Sequence, residues 1–525
     1  MEFRLARAGS RLGLGALVGL VSAGIAIGIG ELVAAFVRPA AAPIIAVGNK
    51  FILLTPESLK DYAIRQFGSN DKNMLLLGIY VVIGLLAVAL GVLALRWLWV
   101  GVVGLVLFGA VGVYAAATAN AARGGDVVPT ILGTLCAIAV LIGLVRTLGT
   151  GDRRPFDRRV ALPATAASGT ARRGFLIGGV SAAGLAAATG FGGRALQHRR
   201  FDAAQSRAAV LLPKPTSPAP PLPAHADLAK GAATFITPNR NFYRVDTALT
   251  VPQLNAKTWQ LRVGGRVDHE LTLSFDDLLA RPLIERYITM TCVSDPVGGP
   301  YIGTAKFLGA PLADLLREAG VHPDADQIVG RSSDGMTIGT PTTVIMDGRD
   351  AMLAVGMNDE PLPLEHGFPV RMLVPGLYGY VSATKWLVEL QATRFADFDG
   401  YWVQRGWVQQ APIQLESRID TPRPFARLRR GTRVMIAGVA WHQHVGVGGV
   451  QVQVGDGPWQ TARLGQVPST DTWVQWVLPW TVEGDGPVTL RVRAIDRDGK
   501  VQSSKRAEPY PAAASGWHSV VVQVS

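Results

Sequence analysis

Residues 360–387 read EPLPLEHGFPVRMLVPGLYGYVSATKWL. Three cationic residue types, His366, Arg371 and Lys385, stand among glycines and prolines in an otherwise apolar run. The segment FPVRMLVPG, from Phe368, predicts a strand that runs into a tight turn. Cations spaced among turn-forming residues suit a phosphate-bearing ligand, because guanidinium, ammonium and backbone N–H groups can converge on its oxygens. A histidine and an arginine in a loop serve the fold as readily, so the stretch does not decide the matter alone.

A second segment, TMTCVSDPVGGPY at residues 289–301, carries Cys292. RYITMTCV, from Arg286, is rich in β-formers and opens into a Pro-Val-Gly-Gly loop, the kind of strand end on which sites are built. The chain has only two cysteines. Cys136 lies in an apolar run and reads as a small packing residue. Cys292 therefore has no partner within its own region, and an exported thiol needs burial or a ligand to persist. Around these segments, WQLRVGG from Trp259 predicts a strand. SFDDLLA predicts a helix capped by Ser274 with Asp277, and PLADLLREAG a helix stopped by Gly320. Residues 235–410 thus form a mixed α+β domain. Residues 411–525 alternate apolar and polar positions between Gly and Asp turns, in TRVMIAGVAW, GVQVQVGDGPWQTA, DTWVQWVLPW, GPVTLRVRAIDRDG and GWHSVVVQV. This pattern predicts an immunoglobulin-like β-sandwich.

Residues 1–195 have a different composition, dominated by Leu, Val, Ala, Gly and Ile. Runs of the length needed to cross a bilayer are Leu12–Val37, Met74–Leu95, Val100–Ala117 and Val127–Val145, with a weaker fifth at Gly174–Gly192. Residues 41–54 are too short and predict a re-entrant or interfacial piece, followed by an amphipathic stretch over 56–67. Arg4, Arg7 and Arg11 before the first span place the N-terminus in the cytoplasm. Seven arginines between the fourth and fifth spans place that loop inside as well, so everything after the fifth span lies outside. Arg194, Arg199 and Arg200 run against the rule. Glu31, near the outer end of the first span, predicts a structural rather than a transporting acid.

The loop ends in Arg172-Arg173-Gly-Phe-Leu before a weakly apolar run, the pattern of a twin-arginine export signal, here in mid-chain. It implies that the outer half folds around a cofactor before export. Residues 196–234 contain LLPKPTSPAPPLPAHAD and predict an extended, semi-rigid linker holding the outer half off the membrane lipid bilayer. The net charge of +12 reflects membrane topology; no nucleic-acid-binding motif is present. All eight histidines follow the fifth span, so the bundle lacks paired histidines for haem, and no Cys-x-x-Cys-His is present.

Taken together, EPLPLEHGFPVRMLVPGLYGYVSATKWL, YITMTC and FYRVDTALTVP (from Phe242) resemble the sulfite oxidase family of molybdopterin enzymes, over about residues 235–525. The resemblance is to a membrane-anchored, actinobacterial-type member with an internal twin-arginine signal. Behind the apolar spans of a transmembrane α-helical bundle, it implies an α+β molybdopterin domain and then a dimerisation-type Ig-like sandwich, with a possible homodimer and, since the chain has no haem motif, a separate electron-transfer partner or quinone. It implies that Cys292 ligates molybdenum. It further implies that Tyr243, Arg244, Ser294, His366, Arg371, Ser382 and Lys385 hold molybdopterin. Sulfite-oxidising members carry arginines after the cysteine and a site tyrosine. Here the cysteine is followed by no Arg or Lys until Lys306, Ile338 falls at the tyrosine position, and Asp246 at an early arginine. Asp295 would repel a sulfite dianion and is a candidate proton relay. A neutral small-molecule substrate such as a sulfoxide is therefore expected. The alternative is a non-catalytic outer binding module; a transporter built on the bundle is a remoter one. His442 and His444, on one face of a predicted strand, are expected to pack rather than bind metal.

Overall fold

The computed structural model describes residues 2–56, 59, 66–67, 71–148 and 169–525. The amphipathic reading of 56–67 falls mostly outside these residues, as do Arg153, Arg154, Arg158, Arg159 and the side chain of Arg172. The chain forms two compact units, Met1–Asp202 with Thr247–Val251, and Ala203–Asp246 with Pro252–Ser525.

The first unit contains the helices Glu2–Val37, Asp71–Ala94, Leu98–Ala117, Val128–Leu148 and Gly169–Phe201, with a shorter one at Pro43–Leu54. Among the described residues, five helices are long and apolar enough to cross a membrane. Their large side chains point outward: Leu85, Val180 and Phe191 are 67%, 72% and 75% exposed. A water-soluble bundle would bury such residues; a lipid-facing one presents them. Small residues bring the helices together. A Cβ on Gly19 would lie 1.8 Å from the Ala87 carbonyl oxygen, and one on Gly91 2.1 Å from that of Gly15, so only glycine permits this crossing. Gly193 likewise abuts Leu32. That close approach accounts for Arg194: Glu31 is 4% exposed, Gln197 Nε2 donates to its Oε2 at 2.9 Å, and Arg194 Nη2 lies 3.6 Å from its Oε1. The last helix continues nine residues past the expected end at Gly192, to Phe201. Cys136 is not a packing residue: it sits on the exposed side of its helix.

The second unit is built on strands β1 Gln260–Gly265, β2 Leu271–Ser274, β3 Ile284–Thr291, β4 Ile302–Pro311, β5 Gln327–Ser332, β6 Thr337–Pro341, β7 Met352–Met357, β8 Glu360–Pro361, β9 Arg371–Leu373 and β10 Leu387–Thr393. One sheet has the order β2-β1-β10-β5-β6; the other runs β3-β4-β7-β8, with β9 also paired to β7. Phe275–Leu279 starts at a capping box of Ser274 and Asp277, and Leu312–Ala319 stops at Gly320 in the left-handed region. β3 is an edge strand. Its last pair with β4 is Thr291 with Ile302, which leaves Cys292 just past the ladder, its N–H donating to the Tyr301 carbonyl at 2.9 Å.

The proline-rich segment is extended, but it is not a free spacer. Thr216 N–H donates to the Leu283 carbonyl at 2.8 Å, and Glu285 N–H to that of Ser217 at 2.9 Å. An extended chain with unpaired backbone groups completes the open edge at the start of β3.

Nine more strands follow: β11 Glu416–Thr421, β12 Arg427–Leu428, β13 Arg433–Trp441, β14 Val447–Val454, β15 Trp459–Thr461, β16 Arg463–Leu464, β17 Val474–Thr481, β18 Gly486–Asp496 and β19 His518–Val524. They make sheets of order β11-β13-β17-β16 and β12-β19-β18-β14-β15. Ile419, Ile436 and Trp476 from one sheet share a core with Val450, Leu490 and Val522 from the other, as alternating strands facing each other must. β13 ends at Trp441, so His442 and His444 do not share a strand face but lie in the turn beyond it. Their Nδ1 atoms face different acids, Asp496 at 3.2 Å and Asp471 at 3.3 Å.

Candidate active site

The cysteine loop organises itself around Asp295. Its N–H donates to the Cys292 carbonyl at 3.1 Å, and its Oδ1 accepts from Tyr301 N–H at 2.8 Å, closing the loop. Its Oδ2 is buried without a hydrogen-bond partner, and desolvation lifts the carboxyl to about 6. Gly298, at φ +79, presses against the His518 ring, where a Cβ would lie 2.2 Å away. Cys292 is free. Ser294 Oγ lies 2.9 Å from its sulfur. Burial pushes the thiol up, and the Ser294 hydrogen bonds pull it partly back.

The stretch 360–387 folds as a set of short pieces between β8 and β10. Gly367 stands at φ +110, where a Cβ would lie 3.1 Å from Lys385 Cα and 3.2 Å from Arg371 Cβ. Only a residue without a side chain lets His366, Arg371 and Lys385 gather there. His366 Nε2 donates to the Asn239 carbonyl at 3.2 Å. Lys385 Nζ binds Asp246 Oδ2 at 2.7 Å, and Arg244 Nε binds the same oxygen at 2.8 Å. Tyr243 stacks on Phe242 with ring centroids 5.3 Å apart. Its hydroxyl is pushed up by burial and then by Cys292, with Arg371 opposing, so the cysteine and the 360–387 stretch share one electrostatic neighbourhood. Ser382 is buried, with its hydroxyl set against the Leu377 and Tyr378 carbonyls; it holds the turn. A cleft of about 540 Å³ opens beside these groups, lined by Arg207, Asn239, Arg240, Phe242, Arg244 and His366 among others.

Of the three, Arg371 is the charge left open to an anion, since Lys385 is paired with Asp246 and His366 is neutral near pH 7. Arg371 is 5% exposed, its Nε is buried without a hydrogen-bond partner, and among the described residues it makes no ion pair. Burial lowers it to about 10 and Lys385 to about 8. Burial, then Arg371 and Lys385, lowers His366 to about 4. A buried guanidinium without a counter-charge is costly, and an anionic group brought to it removes that cost. The donor set therefore fits a phosphate-bearing cofactor beside a free thiol.

Sequence reasoning missed the residues that arrive from the strands after β10. Arg418 Nη1 donates to the Gly299 carbonyl at 2.7 Å, which puts a guanidinium beside a loop whose own sequence has none. Asp420 already binds its Nε at 2.6 Å. Glu416 is buried, with one oxygen on Gln502 Nε2 at 3.1 Å, and burial followed by the charge of Asp295 raises it to about 9. Ile338 is buried in β6, paired with Gly330. No local pattern marks Arg418, Asp420 or Glu416.

The profile of the oxidoreductase molybdopterin-binding domain matches residues 248–402. Mitochondrial sulfite oxidase of Drosophila melanogaster is 30% identical over 352 residues, covering 56% of this chain and 60% of that protein. The Homo sapiens enzyme of the same name is 31% identical over 346 residues, covering 55% and 62%. The chain thus spans less than two thirds of these relatives' length. An uncharacterised oxidoreductase of Bacillus subtilis, YuiH, is 34% identical over 149 residues, covering 28% of this chain and 72% of that protein.

Proposed function

The chain belongs to the molybdopterin-binding oxidoreductases of the sulfite oxidase family, and we propose that it is a membrane-anchored enzyme performing two-electron oxygen-atom transfer on a small substrate. Cys292 would offer its thiolate to molybdenum, a soft donor suited to that metal. Arg371, Lys385 and His366 would receive the pterin phosphate. Arg244, Tyr243 and Ser294 would border the group, and Ser382 would keep the turn in place. When bound, the molybdenum–pterin group supplies the oxygen-atom exchange; the chain orients it and sets its electrostatics. The buried Arg371, whose Nε has no partner, together with the free Cys292 thiol whose charge acts on the same Tyr243 hydroxyl, is the observation that carries this reading.

Asp295 sits three residues past the thiol with an unpartnered oxygen, and Arg418 is already paired with Asp420. That balance favours a neutral substrate such as a sulfoxide over a dianion. The second unit would face outward, anchored by five spans, and pass electrons to a separate partner or a membrane quinone. The strands after β10 would form an Ig-like dimerisation region.

Molybdenum analysis of the detergent-purified full chain, beside Cys292→Ser, tests the assignment. We expect about one metal per chain, lost in the variant. A folded wild-type protein without molybdenum, made in a molybdopterin-competent host, would overturn the enzyme reading and turn the search to a binding partner of the second unit.

A further inference from the structure

Cys292 follows an edge strand, and the last residues of that strand are held by residues from far along the chain. Thr289 N–H donates to the Asp471 carbonyl at 2.9 Å. The Trp473 N–H donates to Thr289 Oγ1 at 2.7 Å. Gln443 Nε2 bridges the Thr289 carbonyl at 3.1 Å and Thr291 Oγ1 at 3.0 Å. Gln443 is 2% exposed, and its Oε1 has no partner, so the amide is oriented by the carbonyl of Thr289, which can only accept. One side of β3 pairs with β4; at this end the other side has no strand, only these groups. An unpaired strand edge frays, and fraying here would let the thiol wander.

We infer that Gln443 is a positioning residue for Cys292: its amide takes the place of a missing neighbouring strand and fixes the end of β3 from which the thiol projects. The β11–β19 region thereby belongs to the working site and is more than an appendage. The inference rests on Cys292 being the metal ligand, but its structural half does not.

The test is Gln443→Met in the full chain, made with and without molybdopterin supply. Hydrogen exchange is read on the peptide spanning residues 288–293, and molybdenum(V) paramagnetic resonance on the loaded protein. We expect exchange there to rise at least tenfold, and the molybdenum(V) signal to broaden or shift. Thr291→Val removes part of the same bridge from the other side and should act in the same direction, which covers a Gln443 variant that fails to fold. Leu490→Ala weakens the adjoining β-core without touching β3 and should leave both readouts unchanged. Unchanged exchange in Gln443→Met, or an equal rise in Leu490→Ala, overturns the inference. A wild type without molybdenum would remove the proposed function alone, and the exchange comparison would still decide whether Gln443 holds the strand.

Discussion

Asp295 shows what burial does to a single carboxyl. Its pKa rises from 3.8 to about 6, chiefly by desolvation. Between those values the folded protein keeps a proton that the unfolded chain releases. Its contribution is therefore full below 3.8 and is lost as pH rises through 6, a difference of about 3 kcal/mol at most. Asp295→Asn keeps an acceptor for Tyr301 N–H and cannot ionise. Its melting temperature should exceed the wild-type value at pH 7 and converge with it near pH 4; a gap that stays constant across that range would refute the assignment. At this scale the residue types were legible: a free thiol, and three cationic residue types among turn formers that suit a phosphate-bearing ligand without deciding for one. Their partners were not, because Asp246 meets Lys385 across 139 residues of sequence.

Elements were legible wherever their cause is local. Apolar runs predicted the long helices, and Ser274 with Asp277 predicted a helix start. Local patterning could not show that an extended proline-rich segment would lie along β3, since an edge strand takes any chain that reaches it. Nor does it show which glycines are contact points. Gly91 leaves no room for a Cβ against Gly15 and Gly19, whereas a Cβ on Gly78 of the same helix would meet nothing within 4 Å. Gly91→Leu should force the helices Glu2–Val37 and Asp71–Ala94 apart and sharply reduce the yield of folded, detergent-soluble protein. Gly78→Leu should be tolerated. Equal yields from the two variants would show that this crossing does not hold the bundle.

For the whole molecule, the proposed orientation makes a direct prediction. Tyr510 is 50% exposed, so a cysteine placed there can be reached by reagents. In a Cys136→Ser background that keeps Cys292, Tyr510→Cys should react with a membrane-impermeant maleimide on intact cells above the level of the same background without it. Changing Arg172 and Arg173 together to Lys should abolish that labelling until the cells are broken. If the Tyr510→Cys protein with Arg172 and Arg173 intact gains this labelling only in broken cells, the second unit lies inside.

By itself the sequence determined the apolar spans, the local strands and helices, the charge pattern and the identity of the thiol and cations. Each of these follows from side-chain chemistry and from periodicities of two to four residues. Only the tertiary structure decided that Arg371 would be buried without a counter-charge, that Asp246 would hold both Arg244 and Lys385, that Arg194 would meet Glu31, and that Gln443 would brace the strand before Cys292. Burial and pairing depend on which distant segments pack together, and local spacing along the chain carries little information about that.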